Sequence, residues 1–136
     1  IDSSVIFKRL SIENEQRVDK AIKLFADGQN GKCEFYAPIL SKYEIGNSVW
    51  KRSLDIPRSK LLIEVLFSTP INFIDLDEEM AKRAIEIALG QNVTFYDASF
   101  IALAENLGAD LVSDNPKHHK PGLSAKVKII PLGDYR

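Results

Sequence analysis

The chain has little of what would tie it to a membrane, an oxidising compartment or a nucleotide. A single cysteine, Cys33, rules out an intrachain disulfide, and a buried thiol in a strand-like segment is its expected role. No apolar run approaches the ~18 residues of a membrane span and no secretory leader is visible, which fits a reducing cytoplasm. The chain opens at Ile1 rather than methionine, leaving room for residues upstream. Lys and Arg number 18 against 19 Asp and Glu, so the net charge of −1 does not recruit nucleic acid by itself, although a local basic rim can. There is no Walker-type glycine loop and no GxGxxG after a strand, which removes nucleotide hydrolysis and dinucleotide redox chemistry. Repeats, low-complexity tracts and linkers are also missing.

What is present is ordinary globular composition, 45% apolar and 27% charged, in a length that makes one domain over residues 1–136. Ile1 to Phe7 reads as the end of a strand turning into a helix. Val18, Ala21, Ile22 and Phe25 give one apolar face to a helix over Glu13 to Asp27, ended by Gly28 to Gly31. Cys33 to Ala37 is a short strand closed by Pro38. A helix over Ile39 to Leu54 carries Leu40, Tyr43, Val49 and Trp50 on or near its apolar side, with Glu44 beside that stripe. Pro57 starts another helix at a permitted first-turn position, with LLIEVLF as its core face.

Asn72 to Leu76 is the next strand. Asp77 then caps a helix whose first turn gains Glu78 and Glu79, and these three acids are assigned to structure. Met80, Ala81, Ala84, Ile85 and Ala88 form its buried face, and Gly90 stops it. Lys126 to Pro131 is a last alternating strand. Strands alternating with helices predict a three-layer α/β/α domain around a mostly parallel sheet.

The stretch Thr94 to Asn115 organises the rest. Its helix, Tyr96 to Leu107, is apolar around most of its circumference, and Gly108 supplies the left-handed turn at its end. Ala109 to Val112 follows as a strand, and Ser113, Asp114 and Asn115 stand at its carboxyl end, where open α/β sheets hold ligands. Asp97 three residues after Thr94 has the pattern of a capping box, and Asp114 before Asn-Pro has that of a turn. Glu44 likewise fits a half-exposed helix acid paired with a lysine. Yet Asp2 and Asp114 fall at strand ends, with Glu44 and Asp97 on helices flanking the same edge. Four converging carboxylates repel one another, and the usual resolution is a divalent cation held by hard oxygen ligands.

The order Asp2 in IDSSV, Glu44 in LSKYEIGNSVWK, Asp97 in YDASFIALAENLGADLV, then Asp114, resembles the PIN-domain family. Chain length and the intervening helix pair resemble its VapC-type toxin ribonucleases, and the similarity covers nearly the whole chain. The resemblance implies an endoribonuclease dependent on Mg²⁺ or Mn²⁺, with Asp2, Glu44 and Asp97 as metal-binding catalytic acids and Ser4 as the hydroxyl residue after the first acid. The fourth position departs from the pattern: laid on Ser113, the family register puts Asn115 in the ligand place. Asp114, the stronger donor, is the expected ligand, with Ser113 and Asn115 in support and Asn115 as the alternative. His118 and His119 are expected to be exposed or to touch RNA phosphate, because hard cations prefer oxygen.

The same resemblance implies an RNA substrate, a cognate antitoxin that inserts near the acidic pocket, and a homodimer. Trp50, Leu62, Val65, Leu66 and Phe67 are candidates for the dimer or antitoxin groove. Lys8, Arg9, Lys51, Arg52, Lys117 and Lys120 are candidates for phosphate contacts, against a background of plain solvated surface. Two rival readings remain. A receiver-like signalling domain wants an acidic pair at the end of the first strand, and IDSS has one acid. A non-catalytic PIN-like module that binds RNA or protein is marked by lost acids, and this chain keeps at least four.

Overall fold

Short parallel strands with helices on both sides place the acids. The computed structural model describes residues 1–10 and 17–136. Among the described residues six helices run in chain order: α1 Ser3–Leu10, α2 Val18–Gln29, α3 Leu40–Lys51, α4 Ile56–Ser68, α5 Glu78–Gln91 and α6 Phe95–Leu107. Between them lie β1 Phe35–Pro38, β2 Ile71–Ile74, β3 Leu111–Ser113 and β4 Ile129–Pro131, followed by a 3-10 turn at Leu132–Asp134. The expected helix over Glu13 to Asp27 is present from Val18 onward; residues 13–16 of it lie outside the described residues. No described helix is long and apolar enough to cross a membrane.

Both strand pairs are parallel, β1 with β2 (Phe35 opposite Ile71) and β3 with β4 (Leu111 opposite Ile129). The expected single sheet is therefore divided among the described residues, and Ile1 and Asp2 stitch its halves. The Ile1 nitrogen donates to the Tyr36 carbonyl at 2.9 Å and the Asp2 amide to the Val112 carbonyl at 3.1 Å. Alternation along β3 sends Leu111 and Val112 to opposite faces. Leu111 packs with Ala84, Ile87, Phe100 and Ile101 of α5 and α6. Val112 packs with Val5, Leu24 and Phe25 of α1 and α2. A third cluster joins Ile6, Ala37, Ile45, Val49 and Leu66, closing α1, α3 and α4 over β1. These clusters make the α/β/α layering.

Helix ends follow the expected chemistry, with one exception. Asp55, Asp77 and Thr94 each accept the amide three residues on, and Gly108 ends α6 at φ 60°. Gly90 does not stop α5, which runs on to Gln91 and ends at Asn92 in the left-handed region at φ 53°. Asparagine tolerates that conformation because its short side chain bonds locally.

Two expected buried faces are corrected. On α3 the stripe Ser41, Ile45, Val49, spaced by four, faces the core, while Tyr43 and Trp50 are 74% and 73% exposed. On α5, Ile87 takes the buried place expected of Ile85. In both helices apolar residues occupy more than one face, so periodicity alone does not choose the face. Within the expected partner groove, Leu66 is fully buried core, Leu62 and Val65 are half-buried, and Trp50 and Phe67 are exposed.

Candidate functional site

Asp2 sits where the chain leaves the sheet and enters α1, and its carboxylate is buried and saturated. Oδ1 accepts from the Ser4 hydroxyl at 2.5 Å and from the Val5 amide at 3.0 Å. Oδ2 accepts from the Ser113 hydroxyl and lies 3.0 Å from His119 Nδ1. A carboxylate offers about four lone-pair positions, and here all four have donors. Burial alone would raise the Asp2 pKa, but the hydrogen bond and charge of His119, with the two serine hydroxyls, hold it below the usual carboxylate range.

His119 corrects the expectation of an exposed histidine. It is 3% exposed and packs edge-on to Phe100, with centroids 5.5 Å apart. Nδ1 faces Asp2, and Nε2 lies 3.0 Å from the Asp97 carbonyl oxygen. Both nitrogens face acceptors, which an imidazolium satisfies. Burial pulls its pKa down, but the Asp2 carboxylate and the Asp97 carbonyl outweigh that and hold it above the ordinary value. The backbone makes this reach possible: the amides of His118 and His119 both donate to the Asn115 carbonyl, folding the segment after β3 back under α6.

Glu44, half-buried on α3, accepts the Ser3 hydroxyl at 2.5 Å. Its carboxyl is pushed up by burial, against the Ser3 bond, and further by the negative charges of Asp97 and Asp2. Asp97 stands in the first turn of α6. Its Oδ2 takes the Thr94 hydroxyl at 2.5 Å and lies 3.2 Å from His118 Nδ1, while its amide donates to Thr94 Oγ1 at 3.1 Å. The local Thr94–Asp97 capping geometry and membership of an acidic site thus coexist in one residue. Among the described residues, Glu44 Oε1 and Asp97 Oδ1 have no hydrogen-bond partner.

Asp114 faces cations instead. Its carboxylate pairs with Lys8 at 3.0 Å and with Arg17. Its amide donates to Ser4 Oγ at 3.0 Å, so Ser4 bridges Asp114 to Asp2. Ser113 does the same on the other side, accepting the Asn115 amide at 2.9 Å while donating to Asp2. Ser3, Ser4, Lys8, Glu44, Asn47 and Asp114 line a cleft of about 500 Å³. An apolar cavity of about 270 Å³ between β1 and β3 is lined by Phe35, Phe100 and Val112, and by none of the four acids.

The hard oxygen donors fit a divalent cation in chemistry, and the negative charge crowding Glu44 is what such an ion relieves. Among the described residues, no three His, Cys, Asp or Glu side chains form a ready-made ligand cluster. Sequence reasoning missed His119 as a buried partner of Asp2, and missed Arg17 altogether. The only usable signal for the first was that both histidines of the chain fall within six residues of Ser113. Of the other expected phosphate contacts, Arg9 lies over the Phe25 ring and Arg52 over the Phe7 ring, while Lys51, Lys117 and Lys120 are exposed.

Comparison with known proteins adds two findings. The PIN domain family profile matches residues 1–122. Ribonuclease VapC3 of Pyrobaculum aerophilum is 29% identical over 104 residues, which is 73% of this chain and 76% of that protein.

Proposed function

The chain belongs to the PIN-domain family, and from that premise we propose that it is a divalent-metal-dependent endoribonuclease acting as the toxin of a toxin–antitoxin pair. The observation that carries this reading is that Glu44 and Asp97, far apart in sequence, stand near enough to the buried Asp2 for their negative charges to oppose one another, each with one carboxylate oxygen unbonded among the described residues. Such like-charge crowding has a natural counter-ion in Mg²⁺ or Mn²⁺.

Glu44 and Asp97, with their open oxygens, would hold the ion, and Asp2 would join by exchanging one of its four donors. Asp114 would reach it only by leaving Lys8 and Arg17, which brings Asn115 forward as the alternative fourth ligand. A bound ion there supplies a lowered water pKa and a counter-charge for the phosphoryl group. The protein's own part is positioning. Ser3 holds Glu44, Thr94 and His118 hold Asp97, and Ser4, Ser113 and His119 hold Asp2, so that little reorganisation is needed when RNA arrives.

We further infer one folded unit over residues 1–136, acting on RNA in the cytoplasm as a homodimer restrained by an antitoxin. The exposed Tyr43, Trp50 and Phe67 on α3 and α4 support a protein-binding face, since aromatic side chains lose water at little entropic cost.

The test is cleavage of a structured RNA by the purified protein with Mg²⁺ or Mn²⁺, beside EDTA and Asp97→Asn controls. Cleavage lost in both controls supports the reading. Equal activity of wild type and Asp97→Asn, or no cleavage of any RNA, overturns it in favour of a binding module.

A further inference from the structure

Three exposed side chains of α3 form one row along the rim of the acidic cleft. Tyr43, Asn47 and Trp50, spaced by four and then three, fall within about 60° of one another around the helix. Asn47 lines the cleft together with Glu44, so the row shares a member with the site and starts one residue from a site acid. We propose that this row is a stacking strip for unpaired bases of the RNA strand, with Tyr43 and Trp50 as the platforms and Asn47 as the hydrogen-bonding group between them. This rests on the nuclease reading of the cleft.

The two rings are 74% and 73% exposed. Among the described residues, none of the three side chains has a hydrogen bond, ion pair or ring contact. Phe7, Phe67 and Phe73, by contrast, each have a cation over the ring. Tyr43 and Trp50 therefore offer open π-faces, the surface on which unstacked bases settle. The Asn47 amide offers both donors and an acceptor, which suits a base edge or a ribose hydroxyl.

Helical rise sets the two rings about 10 Å apart along the axis, a span for successive nucleotides rather than for one small ligand. Glu44, already in the cleft, is the one acid of α3, and the exposed Lys51 follows Trp50, so the helix favours a phosphodiester backbone along the row. Stacking tolerates any base, so the strip supplies affinity and sets the strand over Glu44 without choosing a sequence. A protein seated on Tyr43 and Trp50 would bar that strand.

Trp50 is the single tryptophan of the chain, so its emission reports on the strip directly. The full chain is titrated in EDTA with a single-stranded RNA of mixed sequence, and separately with an abasic ribose-phosphate oligomer of equal length and charge. RNA should quench the Trp50 emission and the abasic oligomer should not. By anisotropy with labelled RNA, Tyr43→Ala and Trp50→Ala should each weaken binding roughly 5-fold or more. Their log–log salt slopes should match wild type, because no phosphate contact is lost. Trp50→Phe, which keeps a platform, should stay within about threefold of wild type. Asn47→Ala should weaken binding about threefold or more, the scale of one hydrogen bond. Leu89→Ser, which removes an equally exposed apolar side chain from α5, should change nothing.

Equal quenching by the abasic oligomer overturns the strip, as does unchanged RNA affinity in both Tyr43→Ala and Trp50→Ala. If Trp50→Ala instead breaks a dimer in sedimentation and leaves RNA affinity unchanged, a second copy covers the row and the strip falls. Base-dependent quenching without cleavage under any metal condition upholds the strip and sinks the nuclease reading. Cleavage that Asp97→Asn abolishes, with no quenching of Trp50, does the reverse.

Discussion

Asp2 and His119 stand 117 residues apart in sequence and meet as a buried pair, Oδ2 to Nδ1 at 3.0 Å. Through its other nitrogen His119 also holds the Asp97 carbonyl, so one imidazole ties the start of α1 to the first turn of α6. The acids are thus held in place by groups from distant parts of the chain.

The pair makes metal-free stability depend on pH. The folded pKa of His119 lies above its ordinary 6.5, so its contribution is complete below that value and is lost as pH rises through the folded pKa. Asp2, held below 3.8, contributes above that value and loses it as pH falls through its folded pKa. Stability to urea in EDTA is therefore expected to decline on the alkaline side of pH 6.5, and His119→Gln is expected to flatten that decline. Truncation to His119→Ala should cost roughly 3 kcal/mol, because it leaves a buried carboxylate without its partner. Parallel urea-midpoint curves for wild type and His119→Gln would sink this account.

Glu44 is strained electrostatically in the metal-free protein. Its raised pKa means that deprotonation is opposed by the fold, first by burial and then by Asp97 and Asp2. Glu44→Gln should therefore raise the Tm of the metal-free protein at pH 8, and Mn²⁺ is expected to raise the Tm of the wild type and not that of the variant. RNA cleavage should fall on the order of 100-fold or more, the scale of losing a positioned catalytic carboxylate. A lower metal-free Tm for the variant counts against the crowding argument.

Structural acids should behave differently from site acids. Asp77 accepts the Met80 amide at 2.8 Å and caps α5. Asp77→Ala should cost about 1 kcal/mol of unfolding free energy and leave RNA cleavage within twofold of wild type at a temperature where both are folded. Guanidinium denaturation and a cleavage time course check the two halves of that statement.

Gly28 is a packing constraint rather than a hinge. A Cβ there would meet the Phe35 ring at 2.3 Å, and that ring is buried and tilted against Phe25 with centroids 4.9 Å apart. Gly28→Ala should destabilise by about 1–3 kcal/mol through overpacking, despite alanine's better helix propensity. A thermal melt showing equal or higher Tm would mean that Phe35 has room to turn away.

How much of this was legible from sequence depends on range. The caps at Asp77, Thr94 and Gly108 were legible because each acts within three or four residues of itself. Asp2, Glu44 and Asp97 could be singled out by their order and by the YDASFIALAENLGADLV segment, and the structure brings them together. The buried side of α3 was misjudged at Tyr43 and Trp50, since large apolar residues lie on two faces and only packing against α1 and α4 chooses Ile45 and Val49. The same holds for Ile87 over Ile85 on α5.

The sequence by itself determined the alternation of helices and strands and the caps at Asp77, Thr94 and Gly108, because periodicity and local backbone chemistry are written in neighbouring residues. Tertiary structure alone decided what each acid faces. His119 came to Asp2, and Lys8 and Arg17 came to Asp114, through chain reversals that bring together groups up to 117 residues apart. Those partners set charge and hydrogen bonding by distance through space, a quantity that spacing along the chain does not contain.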